Sequence, residues 1–407
     1  MIRFILFFAV LFLIDLYTFQ AIKTLVKQRF WLVLYACITV AIIIFIVYRM
    51  NQFDRRIGQT QQTLFTMGVF VLFYVPKLFL ILPLIFEDVF RAFSAIVNLF
   101  TKNSESFIPE RRKFVSQIAL GIAAVPFLSI IYGITKGRYN FKVIKQTLYF
   151  DDLPENFDGF TLTHISDIHS GSFDNPEKIA YAIDLINQQP SDLLLFTGDI
   201  VNSLATEMHP WIPAFKNIRN HTFGKFSILG NHDYGEYLVW DKQQAKIDNF
   251  EAIKNLHPQI DFKLLTNEYV TLTKNKQHIQ LIGVENWGKK FKQAGDLTKA
   301  SEGVAKDDFK ILMSHDPSHW ELQVKNHPKN YQLTLSGHTH GMQFGIEIPG
   351  VFQWSPVQFM YKQWAGLYQE MGRYIYVNRG FGYHAYPGRV GIMPEITVLT
   401  LKKGKNL

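Results

Sequence analysis

Four long apolar runs in the first third of the chain limit its fold more than any other feature. They are Ile2 to Phe19, Trp31 to Tyr48, Thr63 to Phe86 and Phe114 to Gly133. Their main interruptions are Asp15 and the pair Pro76-Lys77. Each is near the roughly 20 residues a helix needs to cross a hydrocarbon core. A helix lying half-buried on a protein surface keeps a polar face, and these runs have none. A buried bundle in a soluble protein is the competing arrangement, and it would need four such helices at once. The charges gather in the connectors, at Arg49 to Arg56 and Glu110 to Lys113. The first run lacks a small-residue cleavage site before Gln20, so it reads as an uncleaved helix. Val89 to Phe100 is short and mixed and reads as interfacial. Residues 1–134 are therefore expected to form a multi-pass transmembrane region of about four helices.

An even number of spans puts the remainder of the chain on the side of Met1. Which side that is stays open, because Lys and Arg number eight on each side of the four runs, and the positive-inside rule gives a tie. Asp15 and Lys77 are ionisable groups within the runs. Such groups are costly there and are often functional, unless they snorkel to the surface or pair with each other. Residues 135–147, basic and polar, read as a linker that meets anionic headgroups or is simply solvated.

The formal charge of +8 does not indicate nucleic-acid binding, since the positive residues are scattered without a basic, aromatic-interleaved run. The single cysteine, Cys37, excludes an intrachain disulfide and a thiolate metal cluster. Any metal site must use His, Asp, Glu and Asn.

From residue 148 to residue 407 the pattern changes to short β-rich runs alternating with helical segments. Strands are expected near 160–165, 192–196, 226–229, 262–265, 269–273, 278–282, 309–313, 331–335, 374–377 and 396–401, with helices at 177–188 and 243–256. This alternation predicts α/β layers. In open α/β sheets, ligands gather beyond the carboxyl ends of the strands. The polar clusters fall there. Asp167-Ile168-His169 follows the first strand, and Gly198-Asp199 the second. Gly230-Asn231-His232-Asp233 follows the third, His315 follows the run ending at Met313, and Gly337-His338-Thr339-His340-Gly341 follows the run ending at Leu335. Each cluster alone has an ordinary reading as a cap, a turn or a satisfied core histidine. Five in succession at strand ends do not.

The series resembles the calcineurin-like metallophosphoesterase family over roughly residues 155–401. The resemblance implies an αββα sandwich, two mixed sheets flanked by helices. It implies that Asp167, His169 and His340 hold one divalent cation, that Asn231, His315 and His338 hold a second, and that Asp199 bridges them. His232 would stand beside the phosphate as an acid or a stabiliser of charge, with Asp233 orienting it. Asn231 to Gly235, Gly341-Met342-Gln343 and Pro394-Glu395-Ile396 resemble a bacterial subgroup often fused to membrane segments, which implies a bacterial cell membrane. Met342 stands where that subgroup usually has a second glycine.

The donor set suits Mn, Fe or Zn. Two such ions lower the pKa of a bridging water and clamp phosphate oxygens, so a metal-bridging hydroxide would attack phosphorus. The expected activity is hydrolysis of a phosphodiester, pyrophosphate or phosphomonoester. The aromatic stretch Val351 to Tyr368 either dips into the interface to admit a lipid-linked phosphate or packs the sandwich edge. His384 and Arg389, in and beside the Gly-rich loop Gly380 to Gly388, are expected to contact substrate. A non-catalytic membrane sensor or scaffold is the alternative, and a transporter, suggested by Asp15 and Lys77, is a third reading.

Overall fold

The structure, a computed structural model, describes residues 2–101 and 109–405; Lys102, part of the charge count above, lies outside them. The chain divides into two compact units. One is Met1–Phe53 with Phe65–Tyr132, and the other is Asp54–Leu64 with Gly133–Leu407.

The first unit is built from α1 (Ile2–Leu25), α2 (Arg29–Asn51) and most of α3 (Gln61–Thr101) and α4 (Pro109–Thr135). Each is long and apolar enough to cross a membrane. Large apolar side chains such as Phe12, Leu13, Phe65 and Leu128 face outward, as a lipid-facing surface requires. Pro76-Lys77 does not interrupt the third helix, which runs through Pro76 and Pro83. Neighbouring helices in a membrane bundle can resatisfy the backbone groups a proline frees. Val89–Phe100, expected as a separate interfacial piece, continues α3. Lys77 and Asp15 are both buried and form an ion pair, and Tyr74 Oη donates to Asp15 Oδ2 at 3.1 Å. Mutual pairing accounts for both charges.

The strands of the second unit are, in chain order, β1 (Lys142–Phe150), β2 (Thr161–Ile165), β3 (Leu193–Phe196), β4 (Lys225–Ser227), β5 (Lys263–Leu264), β6 (Glu268–Lys274), β7 (Gln277–Gly283), β8 (Lys310–Met313), β9 (Leu333–Ser336), β10 (Ile346–Ile348), β11 (Phe352–Trp354), β12 (Gly366–Glu370), β13 (Arg373–Val377) and β14 (Glu395–Lys403). Among the described residues they form two six-stranded sheets, ordered β1-β14-β2-β3-β4-β5 and β12-β13-β9-β8-β7-β6, and the separate hairpin β10-β11. The segment expected as a linker departs from that reading. Lys142 to Phe150 pairs in parallel with β14 along its whole length. Val143, Leu148 and Phe150 supply the apolar contacts of an edge strand, and the lysines face out.

The layers follow from period-two alternation along each strand. Leu193 and Leu195 point between the sheets, where they meet Leu281, Ile311, Met313, Leu333 and Leu335. Leu194 and Phe196 point the other way, onto α5 (Pro176–Asn187), α6 (Ile212–Lys216) and α7 (Gln243–Gln259). On the far side of the second sheet, Ile282, Leu312 and Val377 pack beneath Trp320 and Val324. The result is the αββα sandwich. Truncating one of these buried leucines to alanine costs about 2–5 kcal/mol. Parallel pairing of β2, β3, β4 and β5, and of β7, β8, β9 and β13, brings the carboxyl ends of both sheets to one edge.

Candidate metal centre

The loops at that edge approach so closely that side chains would not fit between them. A Cβ on Gly198 would lie 2.4 Å from the amide nitrogen of Gly230, and Gly198 itself has φ +92°. This explains the glycine before Asp199. Strain concentrates in the same loops. Asp167, His169, Asp199, His338 and His340 all have positive φ, between 49° and 72°. Non-glycine residues held there cost of order 1–3 kcal/mol each and cluster at functional sites.

The structure gathers the expected ligands into two groups. Asp167, His169 and His340 form one, and Asp199, His315 and His338 the other, each with donor atoms within 4.8 Å of one another. Asp199 Oδ2 lies 3.5 Å from His169 Nε2 and 3.2 Å from His315 Nε2, so a single oxygen faces both groups. Asn231 Oδ1 completes the second group, 2.7 Å from His338 Nδ1 and 3.1 Å from His315 Nε2.

Hydrogen bonds on the outer sides of the rings set which nitrogen faces inward. His315 Nδ1 lies 2.7 Å from the carbonyl oxygen of Thr197, so Nδ1 carries the proton. His338 Nε2 lies 2.8 Å from Tyr361 Oη, which itself donates to Asp316 Oδ2 at 3.3 Å, so the His338 proton sits on Nε2. Asn231 donates through Nδ2 to Tyr237 Oη at 2.6 Å, which turns its oxygen inward. Four acceptor atoms therefore converge: His315 Nε2, His338 Nδ1, Asn231 Oδ1 and Asp199 Oδ2. Acceptors facing acceptors repel unless a cation sits among them, so this set fits a divalent ion. Burial would lower the basicity of His315, but Asp199 and Asp167 outweigh it and push its pKa up to about 10.

The first group is arranged differently. His169 Nδ1 lies 3.0 Å from Asn202 Oδ1, leaving Nε2 to face Asp199. His340 Nε2 is buried without a hydrogen-bond partner, 3.3 Å from Asp167 Oδ1. Arg389 Nη2 donates to His340 Nδ1 at 3.0 Å, so the neutral ring carries its proton on Nε2. Nε2 is thus the ring atom that faces Asp167, where a cation would sit. Burial alone would raise the Asp167 carboxyl, but His340 and His315 hold it well below the usual range.

Two expectations are corrected. Asp233 does not touch His232. Its carboxylate accepts from the backbone N–H groups of Gly230 at 2.8 Å, and of Asp199 and Ile200 at 2.9 Å each, pinning two ligand loops together. His232 Nδ1 instead faces the carbonyl oxygen of Asn202 at 2.8 Å. Arg389 does not face a substrate. It is fully buried, and it donates to the carbonyls of Arg379 at 2.7 Å and Gly380 at 3.2 Å as well as to His340. His384 does lie at the site, its ring stacked on His169 at 4.8 Å and its Nδ1 3.3 Å from Asn202 Oδ1. His169, His232 and His384 also bring ring nitrogens within 4.8 Å of one another. The aromatic stretch divides. Trp364 is buried against Val357 and Ile392, Tyr361 reaches His338, and Phe352 and Phe359 are exposed.

Asn202, Tyr237 and Asp316 have no assigned role in the sequence reading, and Tyr361 enters it only as one ring of the aromatic stretch Val351 to Tyr368. Asn202 could have been singled out, standing three residues after Asp199 in a strand-end loop. The two tyrosines belong to no motif. Asn202 is itself held by Glu207, whose carboxylate also accepts from the N–H groups of Ser203 at 3.2 Å and Leu204 at 3.0 Å.

Comparison with known proteins agrees with this geometry. Residues 160–342 match the family described as calcineurin-like phosphoesterase. Residues 2–138 match the one described as probable calcineurin-like phosphoesterase, transmembrane domain. A metallophosphoesterase of Bacillus subtilis is 32% identical, over 72% of this chain and 97% of the relative. A transmembrane protein with metallophosphoesterase domain from Danio rerio is 26% identical, over 72% of this chain and 62% of the relative. A metallophosphoesterase of Helicobacter pylori is 27% identical, over 72% of this chain and 73% of the relative.

Proposed function

Given that the chain belongs to the calcineurin-like metallophosphoesterase family, and is thus a metal-dependent phosphoester hydrolase of the membrane, we propose that it hydrolyses a lipid-linked phosphoester or pyrophosphate at the bilayer surface. In this reading α1–α4 cross the membrane and the catalytic region follows on the side of the α2–α3 loop. The inclusion of Asp54–Leu64 in the catalytic unit supports that topology. An even count of spans returns both segments to one side.

The convergence of four acceptor atoms from His315, His338, Asn231 and Asp199 carries the catalytic reading. Two divalent cations, when bound, would supply charge neutralisation of a phosphoryl group and acidify a water. Asp167, His169 and His340 would hold one and Asn231, His315 and His338 the other, with Asp199 facing both groups. His232 is the proton-handling residue. The Asn202 carbonyl keeps its Nδ1 protonated, so Nε2 is the atom that gives or takes a proton at the leaving oxygen. The ring is half-buried against those of His169 and His384, and burial lowers its basicity. His384 stands at the mouth as a substrate contact.

The lipid-linked reading rests on the membrane region and on the exposed apolar residues of 346–360. Its test is hydrolysis by the full chain in nanodiscs of a lipid pyrophosphate, a phospholipid, a nucleotide sugar and a nitrophenyl phosphodiester. A kcat/KM at least about tenfold higher for a lipid substrate is expected. Preference for the nucleotide sugar or the soluble ester would refute it.

A further inference from the structure

The β10–β11 hairpin has its polarity reversed for a strand pair on a soluble domain. Ile346 pairs with Trp354 and Ile348 with Phe352, so these four share one face, and Glu347 and Gln353 share the other. An antiparallel pair beside water normally turns its apolar face inward. Here the polar face is the one engaged with the domain. Glu347 ion-pairs with Arg379, and Gln353 Nε2 donates to the Ala365 carbonyl at 3.4 Å. Ile346, Ile348 and Phe352 are each half exposed, and Val351 at the turn is 80% exposed. Phe359 and Met360, in the turn that follows, are also exposed. From Phe344 to Tyr361 the only charged residue is Glu347. Scattered surface apolar residues need no explanation, but a contiguous set does.

The base of the hairpin shows what covers it. Gly345 N donates to the Val390 carbonyl at 2.9 Å. Val390 packs on Gly133, where a Cβ would lie 2.7 Å from Val390 Cγ2, and the Arg389 amide donates to the Gly133 carbonyl at 3.2 Å. Gly133 belongs to the same compact unit as the hairpin and to the last turn of α4, whose apolar span ends at Thr135. The hairpin therefore leaves the domain beside the point where the polypeptide leaves its fourth span.

We propose that Ile348, Val351 and Phe352, with Phe359 and Met360, lie in the headgroup–acyl boundary of the bilayer that α1–α4 cross. The β10–β11 hairpin is thus a second membrane contact of the catalytic domain, separate from its covalent anchor. Amphipathic elements at such a boundary insert about 5–10 Å. The placement rests on the reading of α1–α4 as membrane-crossing, and not on the identity of the substrate.

The test uses the full chain in phosphatidylcholine–phosphatidylglycerol nanodiscs. Cys37, the sole cysteine, lies exposed in α2. Labelled with an environment-sensitive fluorophore, it reports whether the spans are in lipid. The variant Cys37→Ala/Val351→Cys carries the same label at the hairpin tip. Lipids spin-labelled near the headgroup are expected to quench the hairpin label about twofold or more. Strong quenching at Cys37 with none at the hairpin tip would overturn the proposal and leave the membrane reading standing. No quenching at either site would overturn both. A tip label shielded from water but unquenched, in a chain that runs as a dimer, would assign the face to a second copy and overturn it as well. A functional arm uses Val351→Asp/Phe352→Asp, residues outside the metal centre. Loss of about tenfold in kcat/KM toward lipid phosphate in nanodiscs, with hydrolysis of a soluble nitrophenyl phosphodiester unchanged, is expected. Equal loss on both would contradict a role at the membrane.

Discussion

The main-chain oxygen of Asn202 lies 2.8 Å from His232 Nδ1, and the side-chain oxygen of the same residue lies 3.0 Å from His169 Nδ1. One loop residue thus orients both the proposed proton-handling histidine and a ligand of the first group. Asp233, next to His232 in sequence, orients neither.

This separation predicts different phenotypes for neighbouring residues. His232→Ala is expected to retain its metal content and lose about 10²–10⁴-fold in kcat. Asp233→Asn leaves at least one buried N–H of Gly230, Asp199 or Ile200 facing an amide that cannot accept from it. That costs about 1–3 kcal/mol and lowers the melting temperature, while the shape of the kcat pH profile stays that of the parent. Elemental analysis, melting curves and pH profiles of both variants check this. Loss of bound metal in His232→Ala would contradict its assignment.

His338 and His340 stand two residues apart yet face different ligand groups. Substituting His338 by alanine is expected to weaken the cation held with His315 and Asn231, and substituting His340 the one held with Asp167 and His169. Each variant should retain about one equivalent of tightly bound metal by isothermal titration, and the two should differ in metal preference. Simultaneous loss of both cations from either variant would mean that the pair serves one ion.

Buried histidines outside the centre set the acid stability. Burial pushes His257 down to about 3, and His164 and His319 to about 4, from an ordinary 6.5. The unfolded chain takes up protons near 6.5, and the folded chain resists them. The stability these groups contribute is complete above 6.5 and falls away as the pH drops toward 4, by about 1.4 kcal/mol per unit for each. His257→Gln should therefore lose less melting temperature between pH 7 and pH 5 than the parent. An equal loss would show that His257 is protonated in the folded state.

Much of this was legible in the sequence because it is local. Apolar runs without a polar face mark α1–α4, and period-two alternation marks both faces of β3. The strand-end positions of Asp167, Asp199, Asn231, His315 and His338 group them already in the sequence. What failed to show depends on tertiary contact. Arg389 lies in a Gly-rich stretch that reads as a substrate loop, yet its chain passes beneath His340. Tyr361 stands in an aromatic run that reads as interfacial, yet it reaches His338. Lys142 to Lys145 reads as a polar linker because its two lysines stand at exposed positions of an edge strand, and its partner β14 lies some 250 residues away.

The dinuclear reading is tested most directly by metal stoichiometry and turnover on the same preparation. The full chain, stripped with chelator and dialysed, should regain hydrolysis of a nitrophenyl phosphodiester on adding Mn, Fe or Zn, with activity saturating near about two equivalents per chain. Saturation at one equivalent, or hydrolysis that survives removal of all divalent cations, would contradict it.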